Sequence, residues 1–180
     1  MPETETEATQ LRTLIVDDEP LAVERVQVIC AEIPAVRVVG TASDGAAALR
    51  LAEKLEPDLV LLDIKQINDE KHIPLTHVSN KYTLEFARYL ASRGQTMWIR
   101  YVVVPTWSDD DESAEGLGQF IAELGECVEK VELLPYHELG KHKWDVLGDT
   151  YDLVGIKPPS KETMDRVQGI LGKYHPNVKY

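Results

Sequence analysis

The chain has 180 residues, 43% of them hydrophobic, and a formal net charge of −12. That length buries roughly 70% of the unfolded surface, so a metal or disulfide staple is unnecessary. The acidic balance argues against nucleic acid or an anionic membrane as main partner, because either would repel it. Cys30 and Cys127, far apart in the sequence, cannot build a Cys-rich zinc site or an iron–sulfur cluster. No apolar run approaches the roughly 18 residues of a spanning helix, and no signal peptide opens the chain. A reduced, cytoplasmic, monomeric protein is the expectation.

Residues 1–10 are acidic and polar, and read as a disordered lead-in. Leu11–Val16 is a predicted strand that stops at Asp17-Asp18. Glu19–Glu32 follows as a helix with one buried side, from the apolar Leu21, Val23, Val26, Val28 and Ile29. Val36–Thr41 is a short strand, and Asp44–Leu55 a helix capped by Ser43 or Asp44. Asp58–Ile64 is a near-continuous apolar run, as in a parallel strand covered on both faces.

Lys65–Ser79 is polar and has no period, which predicts a long loop in which His72 and His77 are solvated. Asn80–Arg93 is a helix stopped at Gly94. Met97–Val104 is a strand ended by Pro105. Asp109–Glu112 leads acids into a helix over Ser113–Leu124, the end the helix dipole favours. Val128–Leu134 is a fifth strand, Tyr136–Pro159 is loop-rich, and Ser160–Tyr174 is a last helix.

This alternation predicts an α/β fold: a single domain with five main parallel strands and flanking helices. A flavodoxin-like open sheet of order 2-1-3-4-5 is the first arrangement, and a partial β/α barrel the alternative. Chemistry then gathers at the carboxyl ends of the strands. With β-strands one and three adjacent, Asp17, Asp18 and Asp63 converge, and three carboxylates repel unless a cation such as Mg²⁺ sits among them. The bare spacing leaves open that Asp17 and Asp18 merely end a strand and cap a helix.

The stretch LRTLIVDDEPLAVERV, followed by VVGTASDGAAALRLAEKLEPDLVLLDI, resembles the receiver domain of two-component response regulators. The likeness covers about residues 11–64 and is nearest the subgroup often paired with a LytTR-type DNA-binding domain. It implies Asp63 as phosphoacceptor, Asp17 and Asp18 with Asp63 as Mg²⁺ ligands, and a histidine kinase or small phosphodonor as partner. Thr106 is the candidate switch hydroxyl, and Lys157-Pro158 the substitute for the family's Lys-Pro. Lys65, Lys141 and Lys143 are further sources of the positive charge. The Met-Pro and Asp-Gly turn usual after the phosphoacceptor is replaced by Lys65-Gln66-Ile67-Asn68-Asp69.

From about Asp58 onward a second resemblance takes over. LLDIKQINDEKH, VSNKYTLEFARYLASRG, WIRYVVVPTWSDDDESA, VEKVELLPYHELGKHKW and GIKPPSKETMDRVQGIL are similar to the C-terminal half of pyruvate formate-lyase activating enzyme. That family belongs to the radical S-adenosylmethionine proteins, and its matching strands form the second half of a partial barrel. The resemblance implies that Asp63, Lys65, Arg100 and His137 lie around bound S-adenosylmethionine. The family's Cys-x3-Cys-x2-Cys loop and Gly-Gly-Glu segment do not occur here. Radical activase chemistry is therefore not expected, and any S-adenosylmethionine binding is weak.

The two likenesses meet at PDLVLLDIK, a strand common to both in form. The chain reads as a chimera: a lead-in over 1–10, a receiver-like part over 11–64, and an activase-like part over 65–180 completing the same domain. His137, Glu138 and His142 are explained by the activase match without a metal. Trp98, Trp107 and Trp144 read as packing residues.

Overall fold

A computed structural model describes residues 10–16, 20–43, 45–137, 153 and 155–180. Contacts divide the chain into two compact units, 1–61 and 62–180. The division falls inside the strand where the two sequence resemblances meet.

The first unit opens with β1 (Leu11–Val16), α1 (Pro20–Ala31), β2 (Val36–Ala42) and α2 (Gly45–Leu55). β1 and β2 pair in parallel from Leu11–Val36 to Val16–Ala42, with a bulge between Thr13 and Leu14. Gly40 lets α2 close on β2, since a Cβ there would stand 2.7 Å from the Leu55 Cδ1. Arg12 ties the end of α2 to β1. Its guanidinium donates to the carbonyls of Leu55 and Glu56, the negative end of the helix dipole. Its backbone N–H donates to Asp58 at 2.7 Å, and the Asp58 N–H returns a bond to the Arg12 carbonyl.

Helix α1 departs from its expectation. Val26, Val28 and Ile29 are exposed, and among the helix residues whose burial is described only Val23 and Cys30, along one edge, are half-buried. A two-stranded ladder offers too little surface to cover the apolar residues that α1 carries on several sides.

β3 (Val60–Ile64) crosses the unit boundary and leads into α3 (Asp69–Thr76), α4 (Lys81–Ser92), β4 (Met97–Val103), α5 (Asp111–Leu124), β5 (Val128–Pro135), α6 (Lys161–Leu171) and β6 (Val178–Lys179). The sheet order is β3-β4-β5-β6, with β4–β5 and β5–β6 parallel. The α/β class with parallel strands stands. The expected five strands in one sheet become, among the described residues, six in two ladders, and Thr13 and Leu59 form an isolated parallel bridge within the first unit. β6 was not legible because two residues carry no period.

Helix α3 replaces the expected loop. Asn68 caps it by accepting from the backbone N–H groups of Glu70 and Lys71, and Asp69 and Glu70 follow in its first turn. Its one buried residue is His72, so no apolar stripe announced it. His72 is thus not solvated. Its Nδ1 lies 2.8 Å from the Val78 carbonyl, which makes that nitrogen the N–H donor there.

The sheet of the second unit has one apolar face. Met97, Ile99, Tyr101 and Val103 of β4 are buried, as are Val128, Val131 and Leu133 of β5. Helices α4, α5 and α6 supply the opposing apolar residues, among them Leu90, Leu117, Ile121, Val167 and Leu171. Gly118 of α5 permits a close approach to Tyr174, whose Cδ2 lies 2.2 Å from where a Cβ would stand. The acidic run does what a helix start does: the Asp110 side chain accepts from the Ser113 N–H.

Candidate functional site

Strand alternation places the charged residues of this sheet on the face opposite the apolar core. Along β4 the buried residues are 97, 99, 101 and 103, so Trp98, Arg100 and Val102 share the other side. The same parity puts Leu61 and Asp63 there from β3, and Glu132 and Leu134 from β5. Register then aligns charges in one row. Arg100 is the direct cross-strand partner of Glu132, and Glu132 that of Lys179. The row reads Asp63, Arg100, Glu132, Lys179, alternating in sign.

Distances show how the row is wired. Lys65 Nζ donates to Asp63 Oδ2 at 2.8 Å. Arg100 Nε stands 3.4 Å from Asp63 Oδ1 and 4.0 Å from Glu132 Oε2. Lys130 Nζ donates to Glu132 at 2.7 Å and lies 4.8 Å from the centre of the Trp98 ring. Arg100 Nε is nonetheless a buried N–H without a hydrogen-bond acceptor: Glu132 is too far, and Asp63 at 3.4 Å is not aligned with the N–H. An orphan of this kind costs about 1–3 kcal/mol and would be relieved by an acceptor oxygen.

The carboxyl end of β3 is anchored by a buried polar hub. Gln66 is fully buried; its amide donates to the Trp107 carbonyl at 2.6 Å and to Ser113 Oγ at 3.0 Å, and its oxygen accepts from the Asn68 N–H. Asn80 donates to the carbonyls of Gln66 and Ile67. Lys71 donates to Asp110 and Glu112, both at 3.0 Å, and those bonds raise its pKa. Partial burial pushes the Asp110 carboxyl up, but the Ser113 N–H and Lys71 together hold it below its ordinary value. Beyond β4, Tyr101 buries its hydroxyl against the Ser108 carbonyl, and burial drives its pKa far upward.

Of the residues singled out by sequence, Asp63, Lys65 and Arg100 come together. His137 is described and exposed, just past β5. Thr106 sits in the loop after β4 with a left-handed φ of 69° and donates its N–H to Asp109. Thr106 lines a cleft of about 400 Å³ together with Pro105, Ile156, Lys157, Pro159 and Thr163. Asp17, Asp18, Glu138, Lys141, His142, Lys143 and Trp144 lie outside the described residues. Among the described residues no three His, Cys, Asp or Glu side chains cluster as a metal site, and no helix is long and apolar enough to cross a membrane. The described residues therefore do not by themselves fit Mg²⁺: Asp63 is already faced by two cations. Sequence reasoning missed Glu132 and Lys130. The alternation in VEKVELL, with Val128, Val131 and Leu133 inward, was the signal for Glu132.

Comparison with known proteins finds both likenesses. Residues 13–69 match the family model of the response regulator receiver domain. A stretch of 123 residues, 68% of the chain, is 62% identical to pyruvate formate-lyase 1-activating enzyme of Escherichia coli (strain K12) and covers 50% of it. The chain is a chimera. Its first part resembles a receiver and its remainder the activating enzyme. The pyruvate formate-lyase-activating enzyme of Staphylococcus aureus (strain USA300) is 47% identical over 127 residues, again 50% of its length. The chain thus spans about half the length of the curated relatives it matches. In fold, it is similar to a domain of pyruvate-formate lyase-activating enzyme from Bacteroides vulgatus, with a TM-score of 0.64 at 18% identity over 93% of this chain and 96% of that one.

Proposed function

We propose that the charged sheet face is a small-ligand site inherited from the activating-enzyme part, taking a carboxylate-bearing ligand of the S-adenosylmethionine class and performing no radical step. The supporting observation is the buried, acceptor-less Arg100 Nε beside Asp63. A ligand carboxylate would satisfy Arg100 and Lys65, the pairing that guanidinium and ammonium groups favour. Asp63 would accept from the ligand's hydroxyl or ammonium donors, and His137 would flank it. Within these 180 residues no Cys-x3-Cys-x2-Cys run occurs, so the electron donor of radical chemistry is not part of the proposal. Binding is expected to be weak, because the chain spans about half the length of the activating enzymes it matches. Calorimetry with millimolar S-adenosylmethionine tests this: heat that disappears in Arg100→Ala supports it, and no heat in the wild type rejects it.

A second reading rests on the receiver match, which runs through Asp63. The Asp63 carboxylate would attack the phosphorus of acetyl phosphate, releasing acetate and leaving an aspartyl phosphate. In the receiver family Asp17, Asp18 and Asp63 would hold Mg²⁺, with a histidine kinase as the donor in a cytoplasmic phosphorelay. Lys65 and Arg100 would supply countercharge for the added phosphoryl group. Intact mass after incubation with acetyl phosphate and Mg²⁺ decides it. One phosphoryl group on the wild type and none on Asp63→Asn supports the reading; an unchanged mass ends it.

A further inference from the structure

We propose that α1 is a self-association surface, pairing antiparallel with α1 of a second copy of this chain. The helix is apolar on the side it turns to solvent. Val26 is 41% exposed, Val28 63%, Ile29 59%, and Ile33, just past the helix end, 43%. Single exposed apolar residues need no explanation, but a contiguous stripe does. Val26, Ile29 and Ile33 recur at i, i+3 and i+7, the spacing of a helix-packing seam. The edge that adjoins the seam on one side, Val23 and Cys30, is half-buried and uncharged.

Charge identifies the occupant. Arg25, within α1, and Glu32, the residue after its end whose N–H bonds the Ile29 carbonyl and continues the last turn, stand seven residues apart and so lie along one rim of the stripe. An antiparallel pair brings like rims together. With the two-fold axis between Val28 and Ile29, Arg25 of each copy faces Glu32 of the other, and this happens twice by symmetry. A parallel pair would set each Arg25 and Glu32 against the uncharged Val23–Cys30 edge. The pattern therefore complements its own inverse. With 12 residues, α1 is about 18 Å long at 1.5 Å per residue. One such contact buries less than the roughly 1,200 Å² of a standard interface, so the dimer is weak, with a Kd on the order of 100 µM.

Sedimentation equilibrium of the full chain, from about 10 µM to about 1 mM, brackets that Kd. The wild type should pass from monomer to dimer. Ile29→Glu should stay monomeric with an unchanged circular dichroism spectrum, since Ile29 is exposed. Arg25→Glu and Glu32→Arg should each weaken association about tenfold, because each sets like charges opposite one another twice. An equimolar mixture of those two variants should recover wild-type affinity, since each then meets its complement. A wild type that remains monomeric overturns the proposal and leaves the stripe to another partner. A dimer that Ile29→Glu does not disturb, or variants that fail to rescue each other, overturns it as well.

Discussion

Arg100 on β4 directly opposes Glu132 on β5, yet its Nε lies nearer Asp63, at 3.4 Å against 4.0 Å. One guanidinium thus stands between two carboxylates, and each competes with any incoming anion for it. Glu132 is the dispensable competitor, because Lys130 already neutralises it at 2.7 Å. Glu132→Gln should tighten binding of S-adenosylmethionine by about twofold to fivefold, since surface charge pairs are worth up to about 1 kcal/mol. Titration calorimetry of the two proteins side by side reads this directly. Equal or weaker binding by the variant would place the ligand's carboxylate elsewhere.

The Lys71–Asp110 contact ties α3 to the start of α5 and sets a pH window. Asp110 has a depressed pKa in the folded state. Its contribution is therefore full above the ordinary carboxylate pKa and disappears as pH falls through the folded value. Lys71 has a raised pKa, so its contribution is full below the ordinary lysine pKa and disappears as pH rises through the folded value. Stability from the pair is greatest between these limits. Asp110→Ala also removes the cap on α5 and should cost about 1 kcal/mol at neutral pH. Urea unfolding from neutral pH into the acid range should show the gap between wild type and variant closing as pH falls. A constant gap would mean the carboxylate charge contributes nothing.

What could be read from sequence followed from how many residues shared one face. β1, α2, β4 and α5 each repeat an apolar period long enough to identify, and their limits fell within two residues of those observed. α3 escaped because it buries only His72 and carries Pro74 inside it, although Asn68-Asp69-Glu70 spelled a helix start. α1 was legible as a helix but not in its burial, because composition records apolar residues and not what is available to cover them. At the site, motif likeness named Asp63, Lys65 and Arg100, and the structure brings them together. Glu132 needed register: nothing local says that residue 132 faces residue 100 across two strands.

Gln66 is the polar residue on which the turn after β3 depends. It is fully buried and bonded through both ends of its amide. Gln66→Leu keeps similar volume but strands the Trp107 carbonyl and the Asn68 N–H. Each orphaned group costs about 1–3 kcal/mol, so a loss of about 2–4 kcal/mol is expected, with some relief from water entry. Gln66→Glu should be worse near neutral pH, because a carboxylate cannot donate to the Trp107 carbonyl. Thermal unfolding should rank wild type above Leu and Leu above Glu. A Leu variant within about 0.5 kcal/mol of wild type would show that the hub is not what holds this turn.

Gly118 offers a test whose sign is in question. In an exposed helix interior, glycine to alanine gains about 1 kcal/mol through lower backbone entropy in the unfolded chain. At residue 118 the new methyl would stand 2.2 Å from Tyr174 Cδ2 and 2.7 Å from its Cε2, so the ring must move. That ring is not free to swing, because its hydroxyl donates to Glu115 at 2.5 Å, on the same helix one turn earlier. Overpacking of this kind costs about 1–3 kcal/mol and outweighs the entropic gain. Gly118→Ala should therefore lower the unfolding midpoint. Adding Tyr174→Ala to it should recover part of the loss, because the clash partner is gone, and the double variant should be more stable than additivity of the two single changes allows. Simple additivity would mean that α5 and the segment carrying Tyr174 separate without resistance, and that the close approach at Gly118 is not a packing constraint.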